Sequence, residues 1–245
     1  MTQNILETLH IPVTCKIGRK LFKKQFIENF SLGANEKKIL TSDIESITLE
    51  YLLNKDKINI APYLDDENDY SEIAFIRVEL LEIKRLKQLS NIIQYIPYPL
   101  IVLFEYEGKI CLNVSPKRIN KNDSTKLVVE ESYFTDWIDL ESMTKLENDF
   151  IESLSIQNHP FTNFYSFYNS YLDKIIAFSA SKYTGNLSSS DDTKELLEKI
   201  REVEANISEI VSKIKKETSL KDKVNMNIEL KNLSDGLEKL KGSLR

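Results

Sequence analysis

The clearest pattern of apolar and polar positions lies in the stretch from Glu72 to Val114. Its first part, Ile73 to Leu81, is a nearly continuous apolar run with β-branched and aromatic members, which is typical of a buried strand. A helix is predicted next, because apolar residues recur at helical spacing before two prolines that end it: Leu86, Leu89, Ile92, Ile93 and Ile96, then Pro97 and Pro99. Two further runs, Leu100–Tyr106 and Lys109–Val114, are joined through Glu107-Gly108, which indicates a hairpin. The stretch therefore predicts a β-α-β-β unit, and we interpret it as the scaffold of the protein.

The segment before this unit mixes apolar and basic positions. Ile11–Cys15 predicts a short extended piece. Apolar and aromatic residues then recur between lysines: Leu21, Phe22, Phe26 and Phe30. This pattern predicts an amphipathic helix that has basic residues, those at positions 16–24, on its outer face. Three further elements follow in the pattern, namely a second helix over Glu36–Ile44, a strand or short helix over Ile47–Leu53, and a short strand within Lys55–Pro62.

The segment after the central unit begins with a polar turn region, Ser115–Asp123. Lys126–Ser132 then predicts a further strand that extends the sheet, and the single tryptophan, Trp137, is interpreted as a core anchor. Residues 141–183 turn helical and include an aromatic stripe, which lacks interleaved Arg or Lys: Phe164, Tyr165, Phe167, Tyr168 and Tyr171. Such a stripe could stack nucleic-acid bases, but without basic neighbours it favours a buried helix face.

The tail carries two heptad seams behind a polar linker, Thr184–Asp192. The first seam consists of Leu196, Ile200, Val203, Ile207, Ile210 and Ile214. The second consists of Met226, Leu230, Leu233, Leu237, Leu240 and Leu244. The two registers do not join, and Ser219 with Asp222 resembles a helix cap in the mismatch. This favours an antiparallel helical hairpin, with one long helix as the alternative, and each seam needs a sister helix, a second copy of the chain or another protein as its partner.

Together these elements predict an α+β fold, with a mixed, mostly antiparallel sheet, flanking helices, and a C-terminal helical hairpin or coiled coil. The predicted organisation is an α/β body at residues 1–183, with its sheet core at about 47–140 and helices at 141–183. A linker at 184–192 and a helical module at 193–245 complete it.

The composition is compatible with this architecture, since 41% of the 245 residues are apolar. No apolar run of about 18 residues and no signal-like N-terminus occurs, so we expect neither a membrane span nor secretion. Cys15 and Cys111 are distant and form no C-x-x-C pair, which predicts reduced thiols in a cytoplasmic protein. His10 and His159 have no ligand-like neighbours, so we expect no metal site and no cofactor.

The net charge of −5 is unlike that of a protein that coats nucleic acid, but the charges are unevenly distributed. Residues 1–40 carry seven basic and three acidic side chains, whereas residues 43–82 carry three and eleven. A secondary nucleic-acid contact is therefore restricted to a few basic residues: Lys16, Arg19, Lys20, Lys23, Lys24, Lys117 and Arg118.

One arrangement of charged residues suggests catalysis. A magnesium-dependent nuclease of the restriction-endonuclease type needs an acidic residue followed by Glu-x-Lys, and Asp69 with Glu82-Ile83-Lys84 is a thin match. Glu-x-Lys arises by chance in a chain that is 29% charged, and Glu82 stands at the end of the strand rather than inside it. The acidic loop Asp65–Asp69 lacks the spacing of a calcium loop, and no P-loop or G-x-S-x-G motif occurs.

Several motifs in this order resemble a bacterial domain-of-unknown-function family, the one numbered four-three-nine-one. They are the lysine-rich segment Lys20–Phe26, then EIAFIRVELLE, IPYPLIVLFEYEGKI and SPKRIN, and the tail segment Lys216–Leu233, and the likeness covers roughly residues 10–240. The resemblance implies a gene neighbourhood of helicase, DNA methyltransferase and restriction genes in defence loci. It implies no catalytic residues.

We therefore expect a non-catalytic accessory or scaffold subunit of an anti-phage defence or restriction-modification complex. Its α/β body and helical tail would bind a helicase, a methyltransferase or another defence subunit, and the tail could also self-associate. The alternatives are the magnesium-dependent nuclease and a nucleic-acid-binding adaptor.

Overall fold

The computed structural model describes residues 5–188 and 192–244. Eleven strands are found in this part of the chain: β1 Lys16–Lys20, β2 Ile44–Asn54, β3 Tyr63–Leu64, β4 Asp69–Tyr70, β5 Glu72–Leu80, β6 Leu100–Tyr106, β7 Lys109–Val114, β8 Lys117–Asn120, β9 Asp123–Val129, β10 Tyr133–Phe134 and β11 Ile138–Asp139. The same residues form eight α-helices: α1 Ile5–Thr8, α2 Lys23–Asn29, α3 Ala34–Asp43, α4 Leu86–Ile93, α5 Lys145–Ser153, α6 Phe164–Thr184, α7 Thr193–Lys216 and α8 Leu220–Ser243.

The predicted β-α-β-β unit is confirmed. It consists of β5, α4, β6 and β7, and both strands of the hairpin have the predicted bounds. The turn between them works because Glu107 and Gly108 both adopt positive φ, 45° and 76°, as a tight hairpin turn requires. Strands β5 and β6 run parallel, with α4 as the crossover between them.

The main sheet is mixed and mostly antiparallel, which confirms the predicted fold class. Its strands follow the order β1-β2-β5-β6-β7-β10, and β11 also pairs with β7. Only the β5–β6 pairing in this described sheet is parallel. Two small two-stranded sheets, β3-β4 and β8-β9, stand apart from it.

Each face of the sheet buries a different set of side chains. On one face, Ala74, Ile76 and Val78 of β5 pack with Leu89 and Ile92 of α4 in one apolar cluster. On the other face, the ring of Phe75 lies 5.7 Å from that of Tyr171 in α6. Because successive side chains of a strand point to opposite faces, one continuous apolar run serves both cores.

The aromatic stripe of α6 lies inside the protein, as predicted. Four of its five members, Phe164, Phe167, Tyr168 and Tyr171, are fully buried, and Tyr165 is half-buried. Trp137 is half-buried and packs against the apolar cluster of the sheet, in agreement with its interpretation as an anchor.

Five sequence-based predictions are wrong in part. Lys16–Lys20, expected in a basic helix, is the edge strand β1, and only Lys23–Asn29 is helical. Ile11–Cys15 ends in a 3-10 turn rather than in extended chain. Lys55–Pro62 contains turns and a single bridge from Ala61 to Asn163 instead of a strand. The predicted turn region at 115–123 contains strand β8, and β9 pairs with β8 rather than extending the main sheet.

The chain divides into two compact units, of which one ends at Ile175 and the other begins at Ile176. The second unit contains the predicted helical hairpin, α7 and α8, joined through residues 217–219. The predicted cap is present, since Ser219 Oγ accepts a hydrogen bond from Asp222 N at 3.4 Å. The alternative of one long helix is therefore wrong.

The predicted linker at 184–192 falls partly outside the described residues, because 189–191 are not described. The predicted domain boundary there stays a prediction. Among the described helices, none has the length and apolar content needed to cross a membrane.

Candidate functional site

The three residues of the nuclease hypothesis lie at opposite ends of one strand. Asp69 precedes β5 and Glu82 follows it, so the nine-residue strand separates them by roughly 30 Å. Asp69 Oδ1 instead accepts hydrogen bonds from Ser71 N at 3.1 Å and Ser71 Oγ at 2.6 Å. The structure therefore does not bring Asp69 together with Glu82 and Lys84.

Glu82 and Lys84 take part in ion pairs at the end of β5. Glu82 is 3.5 Å from Lys84 Nζ and 3.0 Å from Arg85 Nη2. Arg85 also donates from Nε to the buried carboxylate of Asp43 at 2.6 Å. Burial acts to raise the pKa of Asp43, but the hydrogen bonds from Arg85 and Ser42 outweigh it and hold the pKa below its usual value. These contacts join the start of β2 to the end of β5.

A second charged cluster, which the sequence did not reveal, lies on three adjacent strands. Arg77 of β5 is 2.7 Å from Glu50 of β2, 3.0 Å from Glu79 of β5 and 3.6 Å from Glu105 of β6. Burial raises the pKa of Glu105, and Arg77 only partly offsets this. The signal that could have found the cluster is the charge at alternate positions 77 and 79 of an otherwise apolar strand.

Arg77, Glu79 and Glu105 of this cluster line a groove of about 360 Å³ together with Tyr106 and Lys109. The groove is acidic, because two cations, Arg77 and Lys109, line it beside four carboxylates, those of Glu45, Glu79, Glu105 and Glu107. It therefore attracts cations rather than phosphates. Among the described residues, no group of three His, Cys, Asp or Glu side chains is arranged to hold a metal ion. The ion pairs of the cluster therefore link the three strands β2, β5 and β6.

The predicted basic residues near the N-terminus are divided between two elements. Lys16, Arg19 and Lys20 lie on β1, where every residue is exposed. Lys23 of α2 donates instead to the backbone carbonyls of Thr41 and Ile44, and burial lowers its pKa. Lys24 pairs with Glu28 at 3.4 Å. The basic surface that the sequence suggested is therefore formed by the three residues of β1 and by Lys24, whose side chain is exposed beside Glu28.

Lys117, the next candidate for phosphate binding, lies in the interior with 2% of its surface exposed. Its Nζ donates to the carbonyls of Gln94 at 2.9 Å and Ile96 at 2.7 Å, just beyond the C-terminus of α4. Burial lowers the pKa of this ammonium to about 7. Lys117 thus satisfies carbonyls at a helix end, while Arg118 stays near the surface, 3.8 Å from Glu130.

The heptad seams of the tail lie between its two helices. Every predicted seam residue is buried or half-buried, from Leu196 and Ile214 on α7 to Met226 and Leu240 on α8. The sister helix is therefore the partner of each seam.

Three other apolar residues of α8 are exposed and form what we term the α8 stripe: Leu220, Val224 and Ile228, with 78%, 51% and 57% of their surfaces exposed. They recur every fourth residue, which places them in a row on the side of α8 turned away from the seam. The exposed residues Lys221 and Lys231 flank the row. The four-residue spacing was available in the sequence, but the stronger heptad pattern hid it.

Comparison with known proteins gives one match. The family model described as "Domain of unknown function (DUF4391)" matches residues 9–237. No curated protein and no solved structure matches the chain.

Proposed function

The chain belongs to the domain-of-unknown-function family DUF4391, and we propose that it is a non-catalytic accessory or scaffold subunit that binds a larger protein partner. The partner is a helicase or a modification enzyme of a bacterial anti-phage defence or restriction-modification complex. This choice of partner follows from the gene neighbourhood that the family resemblance implies.

The single observation that carries the proposal is the α8 stripe. Leu220, Val224 and Ile228 leave their side chains in water although the seam of the same helix is covered by α7. Single exposed apolar residues are ordinary, but a row of three on one helix face is the pattern of helix-mediated recognition. Removal of this apolar surface from water by a partner supplies the driving force for association.

The charges beside the stripe indicate the chemistry of the partner surface. Lys221 and Lys231 flank the apolar row, and Lys215 and Lys216 at the end of α7 are also exposed. A complementary surface is therefore apolar at its centre and acidic at its rim, because opposite charges steer association and fix register.

The contacts at the strand ends of the body also support a structural rather than a catalytic role. Glu50, Glu79 and Glu105 are engaged by Arg77, and Glu82 by Arg85. A general base or a metal ligand needs a carboxylate oriented toward a substrate, whereas these carboxylates are oriented toward the guanidinium groups of Arg77 and Arg85.

The test is co-purification of the tagged full-length chain with the helicases and DNA methyltransferases of its own genome. The triple variant Leu220→Ser, Val224→Ser, Ile228→Ser removes the stripe. We expect it to retain the helical content of the unchanged chain and to recover about tenfold less partner or worse.

The matched control replaces exposed apolar residues that form no row. Val13 and Leu64 are exposed on the body, so the double variant Val13→Ser, Leu64→Ser should recover partner like the unchanged chain. Undiminished recovery by the stripe variant would overturn the proposal, as would an equal loss in the control.

A further inference from the structure

A second surface suited to a partner lies on the body, in a cleft of about 610 Å³ along strand β9. Five consecutive residues of β9 line it, Thr125–Val129. Side chains of a strand alternate between its two faces, so a cleft that meets every residue in turn runs along the edge of the strand. The cleft is therefore bounded by backbone as well as by side chains.

The hydrogen bonds of β8 show which backbone groups of β9 face the cleft. Lys117 N and Ile119 N donate to Tyr70 Oη at 3.2 Å and Glu67 O at 2.7 Å, on the side of β8 away from β9. In antiparallel pairing, the residues opposite them also turn their N–H and C=O groups outward. Those residues are Val129 and Leu127.

The outward groups of Leu127 and Val129 are available for pairing. Within the described residues, β9 is hydrogen-bonded to no strand but β8. A free edge of this kind is a template for one more strand, and its N–H and C=O groups select an extended polypeptide backbone.

The opposite wall of the cleft offers an aromatic surface. The rings of Phe30 and Tyr95 are stacked, with centroids 5.6 Å apart. Gln94 also lines the cleft, and its buried Oε1 has no hydrogen-bond partner among the described residues. That oxygen has almost no accessible surface, so it lies behind the wall of the cleft.

The orientation of the Gln94 amide is fixed by its neighbours. Asn113 donates from Nδ2 to Tyr133 O at 2.9 Å, which turns Asn113 Oδ1 toward Gln94. Gln94 Nε2 donates to that oxygen at 3.2 Å, so its own Oε1 is the atom left over. The acceptor is thus a consequence of a buried network that begins on β7.

The charge of the cleft favours a neutral occupant. Lys126 is the one charged residue among those that line it, and Asp123 pairs with it at 2.7 Å. Nucleic acid would bring phosphates to a surface that offers no unpaired cation, whereas an uncharged peptide meets no such penalty.

We propose that this cleft binds an extended, uncharged segment of a partner protein, which adds to the edge of β9 as the third strand of the β8-β9 sheet. Its backbone pairs with Leu127 and Val129, and its side chains contact the Phe30–Tyr95 pair. The inference rests on the proposed function as a partner-binding subunit, and it places a second contact at a distinct surface.

The test uses the full-length chain and a display library of random peptides of about twelve residues, long enough to pass the five cleft-lining residues of β9. Selected peptides are synthesised with a single N-methyl group at each backbone position in turn, and binding is measured by fluorescence anisotropy. Every second N-methyl group should weaken binding by about tenfold or more, because it removes one pairing hydrogen bond, while the intervening ones change it little.

Variants of the chain provide the matching measurement. Leu127→Pro removes an outward N–H and should weaken the same peptides by about tenfold. Trp137 fluorescence reports whether each variant remains folded. The N-methyl series decides the question even if Leu127→Pro disturbs the hairpin.

Three results would overturn the inference. In the first, the library yields no peptide that binds the unchanged chain more tightly than Leu127→Pro. In the second, N-methyl groups weaken binding equally at all positions of the peptide. In the third, single-stranded oligothymidine displaces the peptides. The stripe variant of α8 should bind the peptides normally. The two failures are therefore distinguishable: the proposed function fails if the stripe variant still recovers partner, whereas this inference fails if the peptides do not pair with β9.

Discussion

The body and the tail hairpin use apolar residues differently. In the body, β5 buries side chains on both of its faces, and residues such as Ala74 and Val78 are completely enclosed. In the hairpin, most seam residues are only half-buried, and a second apolar row on α8 lies in water. The apolar residues that the body exposes, such as Val13 and Leu64, are scattered over different segments, whereas those of the tail form a row on one helix face. Surplus apolar surface of this kind is where a partner is expected to bind.

The body and the hairpin also differ in how far their polar contacts are buried. The body buries a specific network around Asn113 and carries Lys117 inside. The hairpin relies on exposed pairs within one helix, such as Glu209–Lys213 at 2.7 Å, and on Glu204–Lys241 between helices at 3.5 Å. Buried networks penalise any alternative packing, while exposed pairs contribute little. The body should thus be the more rigid of the two regions.

The largest expected difference between the regions concerns core leucines. Leu89 of α4 is fully buried and Leu230 of α8 is half-buried, so the same change to alanine deletes the same atoms in two environments. We expect Leu89→Ala to lower the free energy of unfolding by about 2–5 kcal/mol and Leu230→Ala by roughly 1 kcal/mol. Guanidinium unfolding followed by Trp137 fluorescence and by helical circular dichroism measures both.

The two signals provide the control for this comparison. Trp137 is the single tryptophan and lies in the body, whereas circular dichroism also reports the hairpin helices. Leu89→Ala should shift the fluorescence midpoint more than Leu230→Ala does. If the two substitutions lowered the free energy of unfolding equally, the hairpin seam would be packed as tightly as the core of the body, which would contradict the difference between the two regions.

Acid should destabilise the body through His159, which is 6% exposed and stacked on Tyr171 with ring centroids 3.9 Å apart. Burial, followed by the charge of Lys174, lowers the pKa of His159 to about 3. In the unfolded chain, this histidine binds a proton near pH 6.5. The free energy of unfolding that depends on neutral His159 is therefore fully present above that pH and is lost as the pH falls toward 3. At pH 5 the loss amounts to roughly 2 kcal/mol.

The variant His159→Phe retains a ring against Tyr171 and removes the titrating group. Between pH 7 and pH 5, the free energy of unfolding should fall for both proteins, but the fall should be smaller for this variant by roughly 2 kcal/mol. His10 is exposed, so His10→Asn serves as the control and should keep the full acid sensitivity. A parallel decline of the unchanged chain and His159→Phe would contradict the assignment.

The sequence was most informative where burial and spacing agreed. The unit β5-α4-β6-β7 was predictable because a long apolar run, prolines after a helix and a glycine turn each allow few conformations. The hairpin was predictable because two heptad registers failed to join at residues with capping side chains. In both cases the local pattern and the tertiary contacts point to the same structure.

The sequence was least informative where charged residues form strands. β1 is held by backbone pairing to β2 with all its side chains exposed, so it has no apolar pattern to detect. β8 begins with Lys117, whose buried ammonium serves two carbonyls of a segment about twenty residues earlier. The Arg77 cluster likewise depends on the pairing of β2, β5 and β6, which no single segment specifies.

The smallest expected difference between the regions concerns helix caps. In the body, Thr144 Oγ1 accepts from Glu147 N at 3.2 Å, and Glu147 Oε2 accepts in return from Thr144 N at 2.6 Å. In the tail, Ser219 Oγ accepts from Asp222 N at 3.4 Å. Because the body cap is reciprocal and the hydrogen bond of the tail cap is longer, we expect Thr144→Ala to lower the free energy of unfolding by about 1–2 kcal/mol and Ser219→Ala by about 0.5–1 kcal/mol.

Guanidinium unfolding followed by circular dichroism measures both changes, with Ser219→Asn as a control that keeps a capping side chain. A larger cost for Ser219→Ala than for Thr144→Ala would mean that the start of α8 is held more firmly than its exposure suggests, and the α8 stripe would then stand on the more rigid of the two regions.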